Sequence, residues 1–427
     1  MAGPGHLGRR LQRFKGMERG FKTAVIRLLA AVLPTPAPRA PPDWSARPHR
    51  VLYLRYDRIG DMILATGIIE AIVLAHPPVT VDVLASPANA AVLKGNPHVG
   101  EVLIFEKQRP WTYLRTLRQI RRARYDAVLD AMVLSPSLTT SILMLLSGAQ
   151  HRVGVAGRGS EFALTLPVPR ARHAVHYIDH SAALLSAFGI DPHSRSPSTT
   201  YDSHDSEARS PDATSQGARL STPPSLDAPV GGWGVWRPRL YLSDEELAGG
   251  ESQWTAATTG ADSGTGPDPA EKPAQRLAVN VSAGDATRYW PEDRFVAAIT
   301  WIRERFPSLS LLLIGAPQDR ARMEQIGDAV GVRLAATPGM RDMMAVVATA
   351  DIVFTADTSV THVASAYGKP AVVMFPRGRG ALYGPYGTAG RVVSTPAPTL
   401  QSLAVAPVLA VLEDVITAES SRAESRE

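Results

Sequence analysis

The feature that most constrains this chain is an alternation running through two separate stretches, in which short, continuously apolar segments are each followed by a helical pattern. In the first stretch, Arg50–Arg55 (RVLYLR), Thr80–Leu84, Glu101–Phe105 and Ala127–Asp130 read as strands. Met62–Ala75 and Trp111–Arg124 read as helices between them. In the second, strands at Leu277–Val281, Leu309–Ile314, Val332–Leu334, Asp351–Thr355 and Ala371–Phe375 alternate with helices at Glu292–Phe306, Gln318–Val330, Arg341–Ala348 and Thr361–Tyr367. A strand that is apolar along its whole length has both faces covered, as in a parallel sheet wrapped by helices. The pattern predicts two doubly wound α/β domains facing a cleft, with ligands bound beyond the carboxyl ends of the strands.

The segments around these blocks differ in composition. Residues 1–47 read as a basic amphipathic arm, with a helix over Leu11–Leu33, and a proline-rich linker from Pro34 to Pro48. The first 50 residues hold ten Lys/Arg against Glu18 and Asp43, so they carry +8 of a net +5 and the rest of the chain is −3. The high pI therefore belongs to the arm. Such a helix suits an anionic membrane surface, or it packs on the body, or the arm is disordered. The first domain is expected over 48–190 and the second over 276–400, with a helix and tail at 401–427. Between the domains, 191–275 is polar and low in aliphatic residues. Within it, Arg239–Leu242 reads as a strand, and Ser243 with Glu246 has capping-box spacing for a helix to Trp254.

Three loops carry candidate chemistry. In RYDRIGDMILATG (Arg55–Gly67), Gly60 makes a turn and Asp61 follows at the start of an apolar helix. Asp61 can be an ordinary N-cap or a carboxylate aimed into the cleft. In VSAGDATRYWPEDRF (Val281–Phe295), small residues including Ser282 and Gly284 precede the cation Arg288, and Trp290-Pro291 opens a helix. A packed tryptophan explains Trp290 but not the small loop and its cation. In ADIVFTADTSVTHVASAYGKPAVVMFP (Ala350–Pro376), a strand runs into Asp357, Thr358 and Ser359, with His362 in the first turn of the next helix. Backbone N–H groups at such a helix start attract anions, which suits a diphosphate. Asp357 can cap or bind; His362 can be satisfied within the structure or touch a ligand. Leu311–Asp319 ends a strand in Gly315 and suits the same side of the cleft.

Together these blocks resemble the heptosyltransferase-type family, glycosyltransferase family nine, over roughly Arg50–Arg377. The family's opening motif ends a short loop in Gly-Asp, matched by Gly60-Asp61. Its donor-phosphate loop places a basic residue two positions before Trp-Pro, matched by Arg288 where lysine is common. Its Asp-Thr-Gly-x-x-His pattern is matched by Asp357, Thr358 and His362, with Ser359 in place of glycine. The resemblance implies a GT-B fold of two Rossmann-like domains. It implies Asp61 as catalytic base, and Ser282, Gly284, Arg288, Asp357, Thr358, Ser359 and His362 at the donor, with Gly339–Met344 near base and ribose. A glycine at position 359 with positive φ would be hard for serine to replace.

The implied reaction is inverting, metal-independent transfer of a heptose or similar sugar from an ADP-sugar to a lipopolysaccharide core or related glycan, without a cofactor. An epimerase of the same fold and a non-catalytic nucleotide-sugar binder are the alternatives. Arg55, Arg58, Arg118 and Arg122 are candidates for an anionic glycolipid acceptor, the last two on a basic helix that can also be a plain solvated face. The expected location is cytoplasmic, with peripheral contact at the inner face of the cytoplasmic membrane as an option.

Several chemistries have no support. There is no cysteine, hence no disulfide or thiolate. There is no Gly-x-Gly-x-x-Gly after the first strand, no Walker loop, no His-Glu-x-x-His, no Asp-x-Asp for a metal-bound donor, and no nucleic-acid reader motif.

Overall fold

Six short strands in the first half of the chain form one fully parallel sheet: β1 (His49–Leu54), β2 (Val79–Ala85), β3 (Val102–Ile104), β4 (Ala127–Asp130), β5 (His151–Val155) and β6 (Leu166–Val168), in the order β3-β2-β1-β4-β5-β6. A helix over residues 20–32 (α1) precedes it, and α2 (Ile59–Ala75), α3 (Pro110–Ala123), α4 (Leu138–Leu146) and α5 (Tyr177–Ala182) wrap it. This computed structural model describes residues 20–171, 174–192, 236–258 and 275–425.

Helix α6 (Asp244–Thr258) leads to the second parallel sheet, β7 (Arg276–Asn280), β8 (Ser310–Ile314), β9 (Ile352–Ala356), β10 (Ala371–Phe375) and β11 (Arg391–Ser394), ordered β11-β10-β9-β7-β8. Its helices are α7 (Glu292–Arg305), α8 (Arg320–Val330), α9 (Met340–Thr349), α10 (Ser359–Tyr367), the short α11 (Gly380–Tyr383) and α12 (Val405–Glu424). The segment read as a strand at Val332–Leu334 shrinks to a single bridge, Leu334 on Leu313 of β8. With that bridge counted at the edge, both sheets wind in the same order.

Strand periodicity sorts the side chains. Val51 and Tyr53 face the core between the sheets, while Leu52 and Leu54 face the outer core under α3 and α4. Leu277 and Val279 likewise point to an outer core with α7, α8 and α12, and Ala278 points inward. One inner apolar core thus joins both sheets through α2, α9 and α10. Helix α2 is buried without a break from Asp61 to Ile69, which explains why its sequence is apolar all round. Gly67 lets the connecting segment cross α2 closely, since a Cβ there would sit 2.4 Å from the Trp236 carbonyl oxygen.

Arg239–Leu242 is not a strand. Leu240 is buried in the inner core and Leu242 packs partly buried against it, and the Arg239 N–H donates to Thr66 Oγ1 of α2 at 2.8 Å rather than to a sheet edge. The capping box is present: Ser243 N–H donates to Glu246 Oε2 (2.8 Å) and Glu246 N–H to Ser243 Oγ (3.2 Å). The expected arm helix lies partly outside the described residues. Its described part, 20–33, packs on the body through Ile26, Leu29 and Leu33, against Phe162, Ala163, Leu138 and Leu145. Most of the polar segments at 191–275 also lie outside the described residues.

Candidate active site

A cavity of about 710 Å³ opens between the carboxyl ends of the two sheets. The N-terminal half contributes the loop after β1 and the first turn of α2. The C-terminal half contributes the loops after β7, β8 and β9, and the start of α10.

On the N-terminal side, Arg58 occupies the N-cap of α2 and Asp61 lies inside the first turn. The simple capping role for Asp61 is therefore displaced. Its carboxylate is 2.6 Å from Arg55 Nη2, with both side chains almost wholly buried. Arg55 Nε lies 3.1 Å from Asp57 Oδ1, an ion contact without hydrogen-bond alignment, and Nη1 donates to the Ala131 carbonyl at 2.5 Å. Burial opposes the Arg55 charge, but Tyr177 and Asp61 outweigh it and hold the guanidinium above its usual range. The Asp57 carboxyl is pushed up by burial and by the Asp61 charge, against the pull of Arg55.

Arg55 is thus enclosed and committed to carboxylates, which removes it as a direct acceptor contact. Arg58 is exposed and lines the cavity. Arg118 and Arg122 are exposed on α3 and do not line the cavity. Their outward direction follows from the helical period: the buried face of α3 carries Thr116 and Ile120.

On the C-terminal side, Asn280 at the end of β7 knits the loops together. Its Nδ2 donates to Thr355 Oγ1 (2.9 Å), Thr358 Oγ1 (3.2 Å) and the Ser282 carbonyl (3.2 Å). Ser282 Oγ accepts the Ala316 N–H at 2.8 Å, so this hydroxyl ties the loop after β8 to the loop after β7. Gly284 faces the cavity beside Arg288. Arg288 Nη1 donates to the Asp357 carbonyl at 2.9 Å and lies 3.6 Å from its Oδ1. Trp290 is fully buried, its Nε1 donating to the Leu403 carbonyl at 2.8 Å, so it is a packing residue.

Helix α10 begins at Ser359, two residues earlier than the pattern suggested. Thr358 is its N-cap and accepts the Val360 N–H at 3.2 Å. Among the described non-glycine residues only Arg124 has positive φ, so Ser359 sits in ordinary helical backbone and its substitution for glycine strains nothing. Asp357 neither caps nor stays free, because its carboxylate is held by Arg379 on one oxygen and faces Arg288 with the other. His362 is buried at the cavity wall. Burial lowers its pKa to about 4, against a smaller upward pull from Asp357, so at neutral pH it is an uncharged imidazole. A Cβ on Gly60 would lie 2.7 Å from His362 Cδ2, so the first turn of α2 touches the first turn of α10.

The sequence reading missed Asp57, Arg379 and Tyr383, all of which line the cavity. Asp57 stood inside the first motif, and Arg379 stands between glycines just past the third, where a basic turn was the available signal. The segments Gly315–Gln318 and Thr337–Met340 complete the far wall, in agreement with the reading of the loop after β8.

Two doubly wound parallel sheets facing across this cavity are the GT-B arrangement of a glycosyltransferase. The family model of glycosyltransferase family 9 (heptosyltransferase) matches residues 113–404, and the chain belongs to that family. Among solved structures, a family 9 glycosyl transferase from Veillonella parvula superposes with a TM-score of 0.65 at 15% identity, covering 88% of this chain and 99% of that one. ADP-heptose lps heptosyltransferase II of E. coli gives 0.60 at 17% identity, covering 87% and 99%. E. coli heptosyltransferase WaaC with ADP gives 0.60 at 16%, covering 86% and 99%. No curated protein matches the chain.

Proposed function

We propose that this glycosyltransferase moves a heptose or similar sugar from an ADP-linked donor to a hydroxyl of a lipopolysaccharide core or related glycan, with inversion and without a metal ion. The observation that carries this reading is the pairing across one cavity of Asp61 with an arginine-lined helix start. The C-terminal half suits the donor: the α10 N-terminus and Arg288 offer N–H groups and positive charge to a diphosphate. The solved WaaC complexes carry ADP and ADP-2-deoxy-2-fluoro heptose, which favours adenine and heptose for this chain. On the N-terminal side, Asp61 accepts the proton of the attacking hydroxyl while the anomeric carbon gains positive charge. Arg55 Nη2, 2.6 Å away, holds the carboxylate in place, so its contribution rests on orientation and on charge facing the anomeric carbon.

The acceptor enters from the side of Arg58. Peripheral contact with an anionic membrane is part of this reading. Phe21, Leu28 and Val32 on α1, and Trp111, Leu114 and several arginines on α3, are exposed.

The test is a thermal-shift screen of nucleotide sugars followed by transfer assays with Asp61→Asn. The reading expects stabilisation by ADP-heptose, with donor binding kept and turnover reduced by about 10²-fold or more in the variant. Wild-type turnover in Asp61→Asn removes Asp61 from this role. Epimerised sugar formed from donor alone removes transferase chemistry altogether.

A further inference from the structure

The segment after β10 belongs in sequence to the C-terminal half, yet the N-terminal half holds it. His176 Nδ1 accepts the Ile178 N–H at 3.2 Å, so its Nε2 carries the proton and donates to the Gly384 carbonyl at 3.0 Å. Tyr386 OH donates to Asp179 Oδ1 at 3.0 Å. Between these bonds the rings of Tyr177 and Tyr383 stack, with centroids 5.6 Å apart and planes at 18°.

An arginine lies over each ring of that stack. Arg55 sits 5.2 Å from the Tyr177 ring and Arg379 sits 4.7 Å from the Tyr383 ring. Each arginine is also paired with a carboxylate of the cavity, Arg55 with Asp61 and Arg379 with Asp357. Nε of Arg379 is committed to Asp357. Among the described residues its terminal Nη atoms make no protein hydrogen bond, and the side chain is 31% exposed at the cavity. Asp357 therefore gathers two guanidiniums, Arg288 and Arg379, at the start of α10.

We propose that Arg379 is a second diphosphate-binding arginine, and that the N-terminal half sets its position through the Tyr177–Tyr383 stack. This rests on the nucleotide-diphosphate reading of the cavity and adds the residue that meets charge on the leaving group. As the bond from the anomeric carbon to the diphosphate oxygen breaks, its electron pair stays on that oxygen, and the free Nη donors of Arg379 neutralise it. A planar guanidinium with Nε on a carboxylate and both Nη nitrogens left over has the geometry for this; a point-charge lysine does not. Tyr383 acts as a positioning residue. Its ring fixes the plane of the guanidinium, and its stack on Tyr177 makes that plane depend on the two halves being together.

Isothermal titration of the full chain with ADP and with inorganic pyrophosphate tests the proposal. The variants are Arg379→Gln, Tyr383→Ala and Tyr383→Phe, each checked for folding by its melting curve. Arg379→Gln is expected to lose about tenfold or more in affinity for both probes, the size of a charge-assisted contact. Tyr383→Ala should fall with it, and Tyr383→Phe, which keeps the ring, should restore binding to within about threefold of wild type. Wild-type pyrophosphate affinity in Arg379→Gln or in Tyr383→Ala overturns the proposal, as does a wild-type protein that binds no pyrophosphate. Should the wild type bind pyrophosphate with the expected variant losses but prefer UDP to ADP, the adenine reading falls and the role of Arg379 stands.

Discussion

Arg55 Nη2 lies 2.6 Å from Asp61 Oδ2, an ion pair in a wall where the two side chains are only 2% and 9% exposed. A buried cation shared by two carboxylates is strongly asymmetric in its energetics. The pair adds little net stability over an apolar substitute, but removing one partner strands the other charge. Arg55→Met should therefore cost about 3–5 kcal/mol, measured by denaturant unfolding. A loss under about 1 kcal/mol would mean that water reaches and solvates Asp61 and Asp57 in the variant.

Gly60 tests the contact between the two halves. Alanine in a helix normally stabilises by up to about 1 kcal/mol over glycine. Here its Cβ meets the buried His362 ring at 2.7 Å, and overpacking of that kind costs about 1–3 kcal/mol. The clash outweighs the propensity gain, so Gly60→Ala should lower both stability and turnover. Gly249→Ala in α6, where an added Cβ meets nothing within 4 Å, is the matched control and should stabilise. Equal behaviour of the two variants would show that the α2–α10 contact yields freely.

Acid sensitivity follows from two histidines. Burial lowers His362 to about 4 and His176 to about 3, the nearby His362 adding to the effect on His176. Their folded pKa values lie below the unfolded value of about 6.5. Between those limits the unfolded chain binds protons that the native state does not, so their contribution is full above pH 6.5 and falls as pH drops. By pH 5 the loss is on the order of 2 kcal/mol for each histidine. Urea unfolding at pH 7 and pH 5 measures it, and His176→Gln should flatten the difference.

Ser359→Gly probes the departure from the family motif. Because Ser359 lies in helical backbone, glycine relieves no strain and loses helix propensity. We expect a change no larger than about 0.5–1 kcal/mol, in the destabilising direction, with donor binding unchanged. A gain in stability would reveal strain at this position.

What sequence alone determined was local and periodic. Unbroken apolar runs marked the buried parallel strands, the largely apolar Met62–Ala75 marked a helix, and Ser243 with Glu246 marked a helix start. Each rests on residues a few positions apart, where backbone geometry fixes which side chains are neighbours. The glycine-bearing loops at strand ends were legible for the same reason, and through them Arg288 and the Asp357–His362 helix start.

Tertiary structure decided what those residues touch. Arg239–Leu242 has strand-like composition, yet the Arg239 N–H goes to Thr66 on α2 and Leu240 enters the inner core. By position alone Asp61 could be a cap or a cleft carboxylate; the fold sets it inside the first turn of α2, beside Arg55 and on the cavity. Arg118 and Arg122 could serve an acceptor or a plain solvated face, and α3 carries them away from the cavity. Tyr177 and Tyr383 lie more than 200 positions apart, and no periodicity relates them. Their stack exists because two sheets, each wound the same way, bury α2, α9 and α10 in one shared core. That packing brings Arg379 to Asp357, and it depends on the summed burial of both halves rather than on any local pattern.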